Sequence, residues 1–294
     1  MAGEEEVRSQ KMLTLRQIRR KIRSSQKTRQ ITRTMQMVAA SRVKKAEGRL
    51  HQARPYAQKL EELLLRLSQT SQYPHPFFET REVKNTGLII VTSDRGLCGS
   101  YNTNIILQAE SFLKRTKNNT KLVLLGKKGV DYFKKRDWEI LDKVVDLGGK
   151  LEYKRIEEIA NQITGCYLSG VVDEVYLLYT TFHSVLSYKP TMVKFLKVEA
   201  PEASQEDKEL QYIFEPGIGG IFEKLLPRYV TTKIYISLAE AFTSENASRM
   251  MAMKLATDNA EEMIDRLTLM RNKARQAAIT KEITEIVTSA EALK

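Results

Sequence analysis

The chain has 294 residues, of which 42% are hydrophobic and 29% charged, and its formal net charge at pH 7 is +12. No apolar run approaches the ~20 residues that a membrane-spanning helix needs. Two cysteines and three histidines are too few for a disulfide framework or for a zinc site with four ligands. The collagen-like, membrane-spanning, disulfide-rich and wholly disordered classes are therefore excluded. We expect a reducing compartment, about two structural units and, from the acidic start of the sequence, no signal or transit peptide.

The positive charge is concentrated in one segment. Residues 11–54 carry 14 basic side chains and a single acidic one, Glu47, so this segment has a charge of +13 while the rest of the chain is close to neutral. Such asymmetry indicates a polyanionic partner, which is a nucleic acid, an anionic membrane or an acidic protein surface.

The first predicted element is a helix of about 60 residues, near 90 Å long at 1.5 Å per residue. Residues 11–73 contain one glycine and one proline, Pro55, which should bend the helix rather than end it because the apolar pattern keeps its phase. The prolines at 74 and 76 are expected to end it. Apolar residues alternate at spacings of 3 and 4, typical of a heptad seam, in the set Leu50, Ala53, Ala57, Leu60, Leu64 and Leu67, and less regularly upstream at Ile18, Ile22, Ile31, Met35 and Val38.

The last predicted element is a second long helix. Residues 228–294 lack proline and glycine, and the same spacing recurs at Met253, Ala256, Ala260, Met263, Leu267, Met270, Ala274 and Ala277. A second stripe follows on a shifted phase, at Ile279, Ile283, Ile286, Ala290 and Leu293. Each amphipathic helix needs a partner for its seam, and the economical solution is that the two cover each other. They would run antiparallel if the middle of the chain returns near its entry point.

The middle of the chain predicts a central α/β domain. Buried-strand patterns at 87–93, 121–126, 138–141 and 174–179 alternate with helical patterns at 103–116, 130–135 and 153–168. This alternation is typical of a parallel sheet, to which 191–196 adds an antiparallel strand. Residues 199–211 are acidic and polar and predict a surface loop.

A search for chemistry returns weak candidates. The turn after the first strand, 94–99, has two glycines that favour a structural turn but leave contact with a phosphate open, because such a turn can precede a helix N-terminus. It lacks the spacing of a dinucleotide or P-loop motif. Cys98 favours a small buried residue over a nucleophile. The turn at 126–129, the three histidines and the acidic residues of 258–265 predict ordinary packing or solvated surface.

The basic segment is the strongest remaining signal. Residues 11–55 contain no Phe, Tyr or Trp, so base stacking is unsupported, although charge alone binds phosphates without sequence preference. Composition therefore leaves an acidic protein sleeve and a nucleic acid about equally open. A small-molecule enzyme that uses the α/β domain is a third, weaker alternative.

Three passages in order along the chain resemble the γ subunit family of F-type ATP synthases. They are QITRTMQMVAAS at 30–41, TSDRGLCG at 92–99, and RMMAMKLATDNA at 249–260 followed by NKARQAAIT at 272–280. The resemblance implies a non-catalytic rotor: an antiparallel coiled coil of the terminal helices inside an α3β3 barrel, with a Rossmann-like domain of mostly parallel sheet at its base. It implies domains at 1–75, 76–218 and 219–294.

The resemblance also implies the partners and the contact residues. The partners would be the α and β subunits, the ε subunit and the membrane c-ring, with no nucleic acid, no cofactor and no metal. The chain would lie at the cytoplasmic face of a bacterial plasma membrane, peripherally and through the complex. Loops of the β subunits would contact Arg33, Met35, Arg275 and Gln276, while the seam of the coil would include Leu60, Leu64, Leu267 and Met270.

The sequence departs from the family pattern in three places. Ser100-Tyr101 follows Cys98-Gly99 where Gly-Leu is commoner, and Arg271 stands where an aromatic residue is common. The chloroplast-type insertion with a regulatory cysteine pair is absent, since Cys98 and Cys166 lie far apart in sequence. We therefore expect no thiol switch.

Overall fold

Helix α1 runs without interruption over 56 residues, Leu15–Thr70. Its start is fixed by a reciprocal cap, in which the Gln17 N–H donates to Oγ1 of Thr14 at 3.3 Å and the Thr14 N–H donates to Oε1 of Gln17 at 2.9 Å. This arrangement satisfies backbone donors that a helix start leaves without partners. Pro55 lies inside the helix, so the prediction that it does not end the helix is confirmed.

The computed structural model describes residues 14–70, 76–78, 81–116, 119–149, 151–197 and 218–291. The chain forms two compact units: a helical unit, Met1–Val38 with Met250–Lys294, and an α/β unit, Ala39–Arg249. Helix α1 and the last helix, α5 (Ile218–Glu291, 74 residues), contribute to both units. The predicted loop at 199–211 and the predicted end of α1 at 73–75 lie outside the described residues.

The α/β unit contains a five-stranded sheet. In chain order the elements are β1 (Asn85–Val91), α2 (Tyr101–Arg115), β2 (Asn119–Leu125), α3 (Lys127–Phe133), β3 (Glu139–Val144), α4 (Tyr153–Leu168), β4 (Glu174–Ser184) and β5 (Ser187–Leu196). The strand order is β3-β2-β1-β4-β5. The first four strands are parallel and β5 is antiparallel, which confirms the predicted fold class.

Strands β4 and β5 are longer than predicted. Strand β4 continues past residue 179, and β5 begins before residue 191. Ser184 at the end of β4 pairs with Ser187 at the start of β5 in a tight hairpin. The extra residues are largely polar, so their strand character is set by pairing with each other rather than by a buried apolar pattern.

The sheet is covered on both faces. Alternate strand residues point to opposite sides, so Ile89, Val123 and Leu177 join a core with α4, whereas Leu88, Leu122 and Leu178 join a core with α2 and α3. Coverage of both faces explains why the last four residues of β1 and of β2 are all apolar.

The first of these cores also contains parts of both long helices. Leu60, Leu64 and Leu67 of α1 are buried in it together with Phe222 and Leu226 of α5. The seam predicted at this end of α1 therefore packs into a globular core, not only against another helix. A smaller cluster joins Val43 and Leu50 of α1 to Phe182 of β4 and to Ala239 and Ala247 of α5.

In the helical unit, α1 and α5 pair in antiparallel fashion. Ile18 and Ile22 pack against Leu267, with Met270 and Ala274 alongside. Farther along α1, Thr32 lies against Thr257. Residue numbers rise on one helix as they fall on the other, which confirms the antiparallel pair.

The phase of the predicted seam is wrong in part. On α5 the buried positions are Met253, Thr257, Ala260, Ile264 and Leu267, while Met263 is 55% exposed. On α1, Ile31 is 59% exposed and the neighbouring Thr32 is buried in its place. Adjacent apolar residues such as Met263 and Ile264 fit either of two heptad phases, and the polar residues of the partner helix decide between them. The predicted second stripe at Ile279, Ile283 and Ile286 is exposed in the described chain.

We expect Leu267→Asp to destabilise the helical unit, because a carboxylate at this 7% exposed position loses its hydration and the packing of a leucine, about 3 kcal/mol or more in total. The measurement is thermal unfolding followed by circular dichroism. The matched control is Leu269→Asp, two residues away and 65% exposed. Equal melting curves for the two variants would contradict the seam.

Candidate functional site

The paired helices of the helical unit contain a polar layer in place of a continuous apolar seam. The hydroxyls of Thr32 and Thr257 are 2.8 Å apart and buried, and the Arg29 guanidinium donates to Glu261 at 3.1 Å. The Ser25 hydroxyl donates to the sulfur of Met263 at 3.4 Å. These groups find partners across the pair, so the layer is compatible with close packing.

The two helices carry opposite charge on their exposed surfaces. Between 258 and 265, α5 presents Asp258, Glu261, Glu262 and Asp265, all exposed and with no basic residue among them. The matching length of α1 is basic and exposed. Within the part of the chain that the structure describes, one basic residue of this stretch, Arg29, has an acidic partner. The exposed cations of α1 in this unit are Arg16, Arg19, Arg20, Lys21, Arg23, Lys27 and Arg33.

The four predicted contact residues fall into two separate pairs. Arg33 is exposed and Met35 partly buried on α1, close to the polar layer, whereas Arg275 and Gln276 are exposed on α5, beside Ala274. Since Ala274 packs near Ile18, the two pairs are separated by about 17 helical positions, roughly 25 Å along the helices. The structure does not bring the two pairs into one site.

Helix α5 carries an apolar stripe that is not covered by any described part of the chain. Every described side chain from 275 to 291 is exposed, and the stripe includes Ile283, Ile286 and Val287, which are 52–64% exposed. A contiguous apolar surface of this kind marks an interaction site.

The turn after β1, residues 94–99, is a structural turn. The carboxylate of Asp94 accepts hydrogen bonds from the backbone N–H groups of Lys127, Asp146 and Gly148 at 3.1 Å each. The side chain of Asn102 accepts from the Ser93 N–H at 3.0 Å. These hydrogen bonds give Asp94 and Asn102 a structural role, because they join the turn to neighbouring loops and to the start of α2.

Helix α5 binds the same turn from the other side. The Ser248 hydroxyl donates to the Cys98 carbonyl at 2.7 Å, and the Arg249 guanidinium donates to the carbonyls of Arg95 and Gly96 at 3.2–3.4 Å. The Tyr101 hydroxyl, at the start of α2, donates to the Ala241 carbonyl at 3.1 Å. The turn therefore connects the sheet to the long helix.

Arg249 also forms a buried ion pair with Glu245, at 2.6 Å. Both side chains are about nine-tenths buried. Burial raises the pKa of Glu245, and Arg249 opposes this rise through its charge and its hydrogen bond. The pair is thus partly compensated, and removal of Arg249 would leave a buried carboxylate.

The predicted turn at 126–129 is likewise structural. Gly126 has φ +104°, and a Cβ atom at this residue would lie 2.1 Å from the carbonyl oxygen of Thr92. The Gly129 N–H donates to Oγ1 of Thr92 at 2.8 Å. This close approach of backbone to backbone requires glycine at 126.

The two cysteines lie on opposite faces of the sheet. Cys98 is buried in the core that contains α2, and burial raises the pKa of its thiol. Cys166 of α4 packs against the other core and is partly exposed. Burial of Cys98 confirms its prediction as a small core residue.

The described residues contain no group of three or more acidic, histidine or cysteine side chains that would hold a metal ion. His51 and His183 are exposed, as predicted, and His75 lies outside the described residues. Among the described helices, none has the length and hydropathy of a membrane span.

Sequence reasoning missed the cluster formed by Glu245, Ser248 and Arg249. A signal was available, because Glu245 and Arg249 have opposite charge and stand four residues apart, on one face of the long predicted helix. Buried charges inside such a helix are expected to be paired.

Comparison with known proteins decides the family. The family model described as ATP synthase matches residues 14–293. The ATP synthase gamma chain of Desulfitobacterium hafniense is 46% identical over 284 residues, which is 96% of this chain and 100% of the relative. The chain belongs to the ATP synthase γ-chain family. The gamma chain of Protochlamydia amoebophila is 44% identical over 285 residues, again covering 96% of this chain and 100% of the relative.

Solved structures agree with this membership. A chain of the Tetrahymena thermophila mitochondrial ATP synthase, from a structure of the central stalk and c-ring, matches with a TM-score of 0.59 at 26% identity, over 77% of this chain and 99% of that chain. A chain of the Euglena gracilis mitochondrial enzyme shares the fold, with a TM-score of 0.69 at 17% identity, over 95% and 94% of the two chains. The resemblance seen in the sequence is thereby confirmed: this is a non-catalytic γ subunit of the central stalk, the rotor of an F-type ATP synthase.

We expect Arg249→Met to destabilise this γ chain by about 3–5 kcal/mol at pH above neutral, because it leaves Glu245 buried without its partner. The measurement is the urea midpoint. Arg266→Met is the matched control, since Arg266 pairs with Glu262 at the same i,i+4 spacing but both are about three-quarters exposed; it should cost at most about 1 kcal/mol.

The same variant should change the pH dependence of stability. The pKa of Glu245 is raised in the folded chain. Between its pKa in the unfolded state and its pKa in the folded state, the folded state therefore binds more protons than the unfolded state. The free energy of unfolding falls as pH rises through this interval. Arg249→Met raises this pKa further and extends the fall to higher pH. The double variant Glu245→Gln/Arg249→Met should lose this dependence, and an unchanged pH profile in the single variant would contradict the assignment.

We expect that reduction of the cysteines of this chain by a dithiol does not change the ATPase activity of the assembled complex. The physical reason is that Cys98 and Cys166 pack on opposite faces of the sheet and cannot form a disulfide without unfolding the core. Activity is measured with and without dithiothreitol, with a Cys166→Ser complex as control. A several-fold effect that Cys166→Ser abolishes would be inconsistent with this expectation.

Proposed function

We propose that the helical unit is the axle of the rotor and turns inside a barrel of three α and three β subunits. The observation that carries this proposal is the uncovered apolar stripe of α5 between 275 and 291. Covering such a stripe is favourable by about 25 cal/mol per Å² of apolar surface removed from water. An apolar collar formed by the upper part of the barrel would provide that cover.

In this proposal the β subunits contact two levels of the axle. Arg33 and Met35 meet loops of the β subunits at the level of the polar layer, and Arg275 and Gln276 meet them about 25 Å away along the helices. The separation of these pairs supports two levels of contact rather than one. The exposed guanidinium groups of Arg33 and Arg275 can form two parallel hydrogen bonds with a carboxylate.

The charge of α1 supports an acidic sleeve as the polyanionic partner. In the helical unit, Arg29 is the one basic residue of α1 with an acidic partner in the described chain, so the other cations of this stretch are available to a partner surface. Family membership favours β-subunit loops over the nucleic acid that composition left open. Coiled-coil seam residues Leu60, Leu64, Leu267 and Met270 would keep the helices together under load.

The opposite charges of the two helices suggest how rotation is coupled to catalysis. One side of the helical unit is basic, along α1, and another is acidic, between 258 and 265. Three β subunits around such an axle each face a different charge and shape. Each is therefore biased toward a different conformation, and turning the axle shifts these populations in sequence.

The α/β unit would be the foot of the rotor. We propose that it binds the ε subunit and the c-ring, and that the chain lies peripherally at the cytoplasmic face of a bacterial membrane through these partners. The bacterial relatives and the c-ring in the Tetrahymena structure support this placement. The boundaries 1–75, 76–218 and 219–294 remain our proposed division into shaft, foot and shaft.

The test is co-expression with the α and β subunits of the same source. We expect a stable complex with one copy of this chain per α3β3, whose ATPase activity depends on the chain. Arg275→Ala/Gln276→Ala should lower the torque measured on single molecules, with Lys281→Ala/Glu282→Ala as an exposed control pair on the same helix. Failure of the chain to join its own α and β subunits would overturn the proposal.

We expect removal of five charges on α1 to weaken assembly by roughly 2 kcal/mol or more, although single exposed pairs contribute about 0–1 kcal/mol each. The variant replaces Arg16, Arg19, Arg20, Arg23 and Lys27 with Gln. Association with α3β3 is measured at low and high salt, because the loss should shrink when salt screens the charges.

A charge-matched control separates position from net charge. It replaces five exposed cations of the α/β unit, Lys114, Arg115, Lys127, Lys135 and Lys143, with Gln. If both variants bind α3β3 as tightly as the natural chain, the acidic-sleeve explanation is wrong.

A further inference from the structure

The α/β unit contains a cavity that the proposed rotor function does not use. It lies between α4 and the strands β1, β2, β3 and β4 and has a volume of about 330 Å³. Its walls are mainly apolar and include Ile89, Val123, Leu141, Ile163, Val172 and Val175. A size of a few hundred Å³ with apolar walls and few polar groups is typical of sites for small molecules.

A glycine of α4, Gly165, is an exposed residue of the cavity lining. Gly165 lines the cavity, and a Cβ atom at this residue would meet no atom within 4 Å. Its φ is not in the left-handed region, because it lies inside a regular helix. Glycine lowers helix stability relative to alanine, and packing within this chain does not require it. Its absence of a side chain keeps the cavity open.

Few of the residues that line the cavity have polar side chains. Among the described residues that line it, Asp142 is the one with a charge. One oxygen of this carboxylate accepts a hydrogen bond from the Lys143 N–H at 2.8 Å, and no described cation pairs with it. Gln162 and Ser169 of the α4 region also line the cavity, and both are exposed. The Asp142 carboxylate can accept further hydrogen bonds, and it lies beside an apolar cavity. This combination favours a ligand with an apolar body and a hydrogen-bond donor.

We propose that this cavity binds an apolar small molecule of up to about three fused rings that carries an amine, with the amine directed at Asp142. The proposal does not rest on the rotor function, since all of its residues belong to the α/β unit. A side chain of a partner subunit is the competing occupant. The carboxylate favours the amine because a charged acceptor strengthens its hydrogen bond.

The test uses the fluorescent amine 1-aminoanthracene, titrated into the full chain. We expect saturable binding in the micromolar range. Gly165→Leu adds a side chain at this exposed residue of the cavity lining, where a Cβ atom meets no atom of the chain within 4 Å, and should raise the Kd at least tenfold. Glu157→Leu places the same side chain on an exposed position of α4 outside the cavity lining and should leave the Kd unchanged. Asp142→Leu should raise the Kd about fivefold or more, since it removes a charged acceptor.

Cys166 supplies a readout that is specific for this site. Its side chain lines the cavity and is partly exposed, whereas Cys98 is buried. N-ethylmaleimide adds its alkene carbon to a thiolate sulfur and takes up a proton from water, so alkylation is followed by mass. We expect 1-aminoanthracene to slow alkylation of Cys166 at least fivefold, with Cys98 alkylated slowly in both samples.

Two outcomes would overturn the proposal. The first is binding that Gly165→Leu and Glu157→Leu affect equally, together with unprotected Cys166, which would place the probe elsewhere on the chain. The second is release of 1-aminoanthracene from the chain, followed by its fluorescence, when purified ε subunit is added, while Cys166 stays shielded from N-ethylmaleimide by ε alone. That result would assign the cavity to a side chain of the partner.

Discussion

The apolar stripe of α1 has to be covered along the whole described helix, and the structure is organised around this requirement. In the helical unit the cover comes from α5, through Leu267 and its neighbours. In the α/β unit Leu60 and Leu64 enter a core shared with the sheet, α4 and α5. The apolar residues of one amphipathic helix are thus buried against a partner helix in the first unit and in a globular core in the second. This explains why a heptad pattern alone did not distinguish the two environments.

The turn after β1 connects the sheet to α5 through polar contacts rather than apolar ones. Asp94 organises the loops on its own side of the sheet, and Ser248 and Arg249 bind the backbone of the turn from the helix. A buried arginine with a carboxylate partner and several carbonyl acceptors is satisfied in one geometry. Such a network specifies where the helix meets the sheet more sharply than interchangeable leucines would, which suits a subunit that transmits torque.

Sequence patterns predicted every strand and helix of the α/β unit, because buried parallel strands and amphipathic helices have distinct periods. The patterns did not predict correctly which of two neighbouring helix residues is buried when both choices give a stripe of nearly equal apolar content. Met263 and Ile264 are neighbours of similar hydropathy, and Thr32 is buried although Ile31 beside it is more apolar. The partner helix decides such cases. The Arg249 network depends on contacts more than 150 residues apart in sequence, which no local pattern encodes. The contacts proposed for Arg33, Met35, Arg275 and Gln276 involve subunits outside this chain, so they cannot be read from its own packing.

The polar layer of the helical unit has a consequence for slippage. A seam of alanine, methionine and isoleucine would fit itself about equally well after a shift of one heptad, because its layers resemble one another. Thr32 with Thr257 and Arg29 with Glu261 do not tolerate such a shift, since a displaced threonine or arginine would face apolar or unmatched groups. The two helices are therefore fixed in a single register. A force that slides one helix along the other has to break the Thr32–Thr257 and Arg29–Glu261 hydrogen bonds together.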